Sequence, residues 1–167
     1  SSFGRPSFIL SVFILFMFII SNFFYLLYYT MPFKFNKELW EIGRQIEDKT
    51  LPLINEYFEC NFERNENDIF DILDFKDDDK KKIVEIKGRR IKSTQYADTI
   101  ITASKVTAGF QKIEDGYKVY FVFVFTDKIF EYELKEDMDF KCKFTGTNCI
   151  KHYLIPIDEL TEIKEEN

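Results

Sequence analysis

Apolar residues along the chain follow three different patterns, and each predicts a different kind of element. From Phe8 to Tyr29 they are nearly continuous and uncharged (FILSVFILFMFIISNFFYLLYY). About twenty such residues are enough to cross a bilayer. The stretch is too long and aromatic for a signal peptide, and no small-residue cleavage site follows it. It reads either as a transmembrane helix over 8–29 or as translated AT-rich DNA upstream of Met31. Residues 1–30 are accordingly a hydrophobic leader and residues 31–167 one domain of ordinary size.

The second pattern has helical spacing. Leu39, Ile42, Ile46, Leu53 and Tyr57 predict a helix from Asn36 to about Glu59, with Asn36 as N-cap and Glu38 in the first turn. Pro52 is expected to kink or divide it. The third pattern is the short strand. Asn61 to Arg64, Asp68 to Phe75 and Ile83 to Lys87 read as strands, with a charged turn from Asp77 to Lys82. Gly88 to Ser93 is a basic loop, leading into a second helix from about Gln95 to Ile113, although its many threonines and isoleucines are weak helix formers. Asp115-Gly116 is a turn signal. Val119 to Phe125 is apolar on both faces, so it is a central strand, and Tyr120, Phe121, Phe123 and Phe125 belong to the core. Ile129 to Leu134 alternates, with Glu131 and Glu133 outward, as expected nearer a sheet edge. Tyr153 to Ile157 reads as a last strand and the Glu-rich tail as a frayed helix. No repeat is visible. The class is α/β, a mixed central sheet flanked by helices.

Composition narrows the chemistry. The net charge of -6 argues against a protein that coats nucleic acid nonspecifically, though the field that matters is local to a groove. Three cysteines and one histidine do not describe a disulfide framework, which points to a reducing compartment. Cys60, Cys142, Cys149 and His152 could be drawn into a zinc set, but Cys142-x6-Cys149-x2-His152 is not a standard spacing. A single histidine also excludes mechanisms that need two.

Two consecutive strands deliver acids. Along the first, Asp71 shares a face with Ile69, Leu73 and Phe75, and Asp74 shares the other with Phe70 and Ile72. Along the second, Glu85 and Lys87 share a face inside the strand, a costly arrangement without compensation. A divalent cation held by Asp71, Glu85 and the Ile86 carbonyl supplies it. Mg²⁺ (or Mn²⁺) so held can activate water against a phosphodiester, with Lys87 reaching the water or the phosphate. In an acidic chain the basic run is conspicuous. Lys80 to Lys82 balance Asp77 to Asp79, whereas Arg89, Arg90 and Lys92 follow the acidic strand, where a DNA backbone would pass.

The segments NDIFDILDF and KKIVEIKGRR resemble the PD-(D/E)XK nuclease core, in which Asp and then Glu-x-Lys lie on adjacent strands of an αβββαβ unit. The likeness is to small viral and phage members and covers most of residues 36 to 158. It includes Gly43 to Glu47, Leu51 to Ile54, Gln95-Tyr96, Lys105, the aromatic strand and Tyr153 to Ile157. The resemblance implies a restriction-endonuclease-like fold and metal-dependent cleavage of DNA, RNA not being excluded. It also implies an intracellular setting, the host cytoplasm or nucleus for a viral protein; a genuine 8–29 helix would make it a single-pass membrane protein. It gives Glu47 the role of auxiliary metal ligand or supporting acid, Gln95 that of positioning substrate, and Lys105 a phosphate contact. No proline precedes Asp71, so Asp74 competes as the ligand; Asp71 is preferred because it opens the strand and matches the family position. Two other functions fit the same residues: a non-catalytic nucleic-acid-binding module on this fold, and a membrane-anchored interaction protein.

Overall fold

Two parallel strands, β3 (Lys82–Gly88) and β5 (Lys118–Val124), form the spine of the chain and pair from Lys82↔Lys118 to Gly88↔Val124. The computed structural model describes residues 36–65, 73–146 and 148–164. All of these except Asn36 and Lys37 belong to one compact unit, Glu38–Asn167. The leader, residues 8–29 included, lies outside the described residues. Among the described residues no helix is long and apolar enough to cross a membrane.

Four further strands extend the spine into a mixed six-stranded sheet, ordered β1-β2-β3-β5-β6-β9. On one side β2 (Phe75–Asp77) pairs antiparallel with β3, and β1 (Glu63–Arg64) with β2. On the other, β6 (Ile129–Leu134) pairs antiparallel with β5, and β9 (Thr161–Ile163) with β6. Successive side chains of a strand point to opposite faces, so β3 and β5 feed two cores. Val84, Ile86, Tyr120 and Val122 join Ile54 and Phe58 of helix α1 (Lys37–Phe58). Ile83, Val119, Phe121 and Phe123 join Val106 and Ala108 of helix α2 (Ala103–Glu114). This is why VYFVFV carries no polar side chain except one tyrosine hydroxyl: both of its faces are covered.

A second, three-stranded antiparallel sheet lies on the α2 side, ordered β4-β8-β7. Its strands are β4 (Asp98–Thr102), β7 (Cys142–Thr145) and β8 (Ile150–Pro156), and Ile101 and Ile155 enter the α2 core. This sheet corrects the expected helix from Gln95. The run Thr99-Ile100-Ile101-Thr102 is β-branched throughout, stiff at χ1 and suited to a pleated surface. It pairs with His152 to Ile155 of β8 instead of turning helical, and the helix starts only at Ala103.

Other expectations shift for physical reasons. α1 runs undivided through Pro52 to Phe58 and is stopped by Glu59, which takes a left-handed φ of 52°. The Cys60 amide then bonds the Asn55 carbonyl at 2.9 Å and the Glu59 amide the Glu56 carbonyl at 3.1 Å, a Schellman closure. Asp77 is not part of a solvated turn. It is the buried last residue of β2, and its carboxylate accepts the Asn61 amide at 2.7 Å and the Lys80 amide at 2.9 Å. Most of the strand expected from Asp68 lies outside the described residues. β6 lies nearer the sheet edge than β5, as its alternation implies, and the expected tail helix is instead strand β9, which forms that edge. The four central aromatics are buried as expected. Cys60 is half-buried while Cys142 and Cys149 are exposed, and no metal-binding group of three or more His, Cys, Asp or Glu exists among the described residues.

Candidate active site

β3 begins as a buried hydrophobic strand and changes character at Glu85. This carboxylate has no exposed surface. It lies on the α2 face of the sheet, where a charge is tolerated only with partners. Register supplies the first one. Since Phe75 faces Val84, the next residue out, Asp74, stands opposite Glu85. The Asp74 amide donates to Glu85 Oε2 at 3.2 Å, and the Ile86 amide donates to Asp74 Oδ2 at 3.3 Å. In a strand, the N–H and C=O of one residue point to the same edge. The Ile86 carbonyl therefore faces the Asp74 side, beyond the start of β2.

Two lysines complete the cluster. Lys87 Nζ, from the same face of β3, lies 2.7 Å from Glu85 Oε1. Lys105 Nζ, from the first turns of α2, lies 2.9 Å from both Glu85 oxygens and 3.7 Å from Asp74 Oδ1. Both ammonium groups therefore lie at ion-pair distance from the buried Oε1.

The electrostatics follow from this geometry. Burial, the largest influence, pushes the Glu85 carboxyl up to about 7; Lys87 and Lys105 oppose it and Asp74 adds to it. Burial also works against the charge of Lys87, but the attraction and hydrogen bond of Glu85, with Asp74, outweigh it and hold the Lys87 pKa above its usual value. Lys87 thus stays cationic beside a carboxylate that is reluctant to ionise. A hard cation would relieve this site. Two carboxylates and one main-chain carbonyl form a donor set that suits Mg²⁺, which keeps several waters of its own.

The remaining sequence-derived residues are distributed around this cluster. Asp71 lies outside the described residues. Glu47 is ion-paired with Arg64, which also holds Asp48 at 2.6 Å. Glu47 lines a groove with Ile86, Lys87, Gly88 and Arg90, so it borders the site without touching Glu85. That groove exists because Gly88 lets α1 approach; a Cβ there would meet Ile46 Cδ1 at 2.5 Å. Gln95 is exposed, with its amide 3.4 Å from the Tyr96 hydroxyl. Arg90 and Lys92 are exposed.

Arg89 has turned inward. Its Nε donates to Thr99 Oγ1 at 3.1 Å, its Nη2 to the Ile100 carbonyl and its Nη1 to the Gly88 carbonyl at 3.3 Å, and the guanidinium lies 5.3 Å from the centre of the Phe123 ring. It pins β4 to the end of β3. Sequence reasoning also missed the anchor of the basic loop. Asp127 accepts the Ser93 amide at 2.7 Å and the Ser93 hydroxyl at 2.9 Å. No linear signal joins residues 34 apart.

No family model matches the chain, and no curated protein matches it. Among solved structures it is similar to Hjc, a Holliday junction resolvase from the archaeal hyperthermophile Archaeoglobus fulgidus. The identity is 15% and the TM-score 0.47, over 72% of this chain and 91% of that one.

Proposed function

We propose that this unit is a divalent-metal-dependent nuclease of the PD-(D/E)XK type that hydrolyses DNA phosphodiester bonds. One observation carries the reading: Asp74, Glu85 and Lys87 converge at the β2–β3 junction, with the Glu85 carboxylate wholly buried between them. The Glu-Ile-Lys order and the flanking motifs resembling that family support it independently.

In this reading Asp74, Glu85 and the Ile86 carbonyl hold the cation, with Asp71 competing for the place of Asp74. A bound cation supplies an acidified water and a charge sink for the pentavalent oxyanion. The protein's own groups do the rest. Lys87, kept protonated by Glu85, orients the attacking oxygen and balances the negative charge that develops on the phosphate. Lys105 neutralises Glu85 until the cation arrives, so the site folds without metal. Glu47, held by Arg64, lines the groove along which the substrate backbone reaches Lys87.

Supercoiled plasmid relaxation with Mg²⁺ or Mn²⁺ tests this, comparing wild type with Glu85→Gln and Lys87→Ala. Both variants are expected to lose activity by at least about a hundredfold, the order seen when a transition-state contact is removed. Equal, metal-independent cutting by all three proteins would sink the mechanism. Asp71→Asn and Asp74→Asn, assayed side by side, decide which aspartate is the ligand.

A further inference from the structure

The basic loop and the second sheet enclose a cleft that the proposed chemistry does not use. It has a volume of about 370 Å³. Ile91, Phe125 and Ile157 give it an apolar floor, and Arg89, Lys92 and Lys143 bring three cations against the single carboxylate of Asp98. Tyr96, 61% exposed, stands at the mouth. A concave, mostly apolar site with a few fixed polar groups is the usual form of a small-ligand pocket. The cleft opens beside the end of β3, since Arg89 follows Lys87 by two residues and lines it. Lys143 of β7 joins it from the opposite wall.

Residues 140–157 contain three lysines and a histidine between Asp139 and Asp158, in a chain whose net charge is -6. Of this stretch, Lys143 lines the cleft with Lys92, whereas Lys151 pairs with Phe144 on the other face. The loop is also rigid. Ser93 is clamped by Asp127, the Thr126 amide bonds the Ile91 carbonyl at 3.1 Å, and the Arg89 amide bonds the Val124 carbonyl at 2.7 Å. The cleft is therefore formed before any ligand arrives, so little ordering is needed on binding.

We propose that this cleft holds an unpaired nucleotide of a DNA strand, with the base on the apolar floor against Tyr96 and the flanking phosphates on Lys92 and Lys143. Exposed aromatics beside lysines bind single strands because every base has a π-face, whereas in a duplex those faces are stacked away. Resting on the nuclease reading, this makes the substrate class DNA with an unpaired segment next to the cut, such as a flap, gap or branch.

Binding in EDTA separates this proposal from catalysis. Anisotropy of a dye-labelled single strand and of a blunt duplex of equal length is measured with the full chain. Tyr96→Ala is expected to weaken single-strand binding about tenfold, with duplex affinity changed less than about threefold, and Tyr96→Trp to restore it. Lys92→Gln and Lys143→Gln should each lower the salt slope by about one phosphate. Phe144 is the internal control: it is 65% exposed on the same hairpin but on the opposite face of β7 from Lys143, so Phe144→Ala should change nothing. Unchanged single-strand affinity in Tyr96→Ala overturns the proposal, as does equal loss for both DNA forms or for Phe144→Ala. Glu85→Gln, expected to lose cleavage, should bind the single strand as wild type does, so failure of the metal-site reading and failure of the cleft reading appear in different assays.

Discussion

Replacing Arg89 tests whether this residue belongs to the fold or to the substrate. Two of its three hydrogen bonds link the end of β3 to Thr99 and Ile100 of β4, the third goes to the Gly88 carbonyl, and the guanidinium lies over Phe123. Bonds donated by a charged group contribute about 1.5–3 kcal/mol each, and a buried acceptor left without its donor costs about 1–3 kcal/mol. Thr99 is buried and loses its partner outright. Against this, burial lowers the Arg89 pKa, which shows that the charge itself is held at a cost. The balance for Arg89→Ala is a loss of about 2–4 kcal/mol. Arg89→Met keeps the apolar stem and should lose about half as much. Arg89→Lys should recover little, because a single ammonium cannot replace a planar fork reaching three acceptors. Urea denaturation checks this through the midpoint at constant m-value. A change below about 1 kcal/mol in Arg89→Ala, together with a reduced salt slope for DNA binding, would refute the clamp and return Arg89 to the phosphate contacts expected from sequence.

Other perturbations bear on separate parts of the argument. Because the folded Glu85 pKa is near 7, above the ordinary 4.5, the metal-free protein should lose about 3 kcal/mol of stability as pH rises from about 4.5 to 7 and stay level above that. Glu85→Gln should abolish this dependence, and Mg²⁺ should stabilise wild type at pH 8 but not the variant; superimposable melting curves across that pH range would count against it. Glu59→Gly removes a side chain from a left-handed residue at the end of α1 and should raise stability by about 0.5–1 kcal/mol, readable as a higher Tm. Asp127→Ala should speed amide exchange across residues 89–97, since the clamp on Ser93 is lost. Phe121→Ala, in a wholly buried position, should cost about 3–5 kcal/mol by thermal denaturation.

What the sequence determined by itself was local or periodic. A strand apolar on both faces can only be central, so β5 and its aromatics were legible, as were α1 and the placement of Glu85 and Lys87 inside one strand. The placement of a charged pair inside a β-forming run was visible too, and with it the demand for compensating partners. What the tertiary structure decided concerned partners far apart in the chain. The segment 98–102 has residues compatible with either helix or strand, and only pairing with β8, some fifty residues later, made it β4. The tail became a strand because β6 had an open edge to cover. Asp74 came to face Glu85 through the β2–β3 register, which alternation alone could not fix, because a shift of one residue exchanges the two faces. Arg89 reads as a surface cation until β4 arrives to accept its hydrogen bonds. In each case local chemistry allowed two outcomes, and a distant element supplied the free energy that selected one.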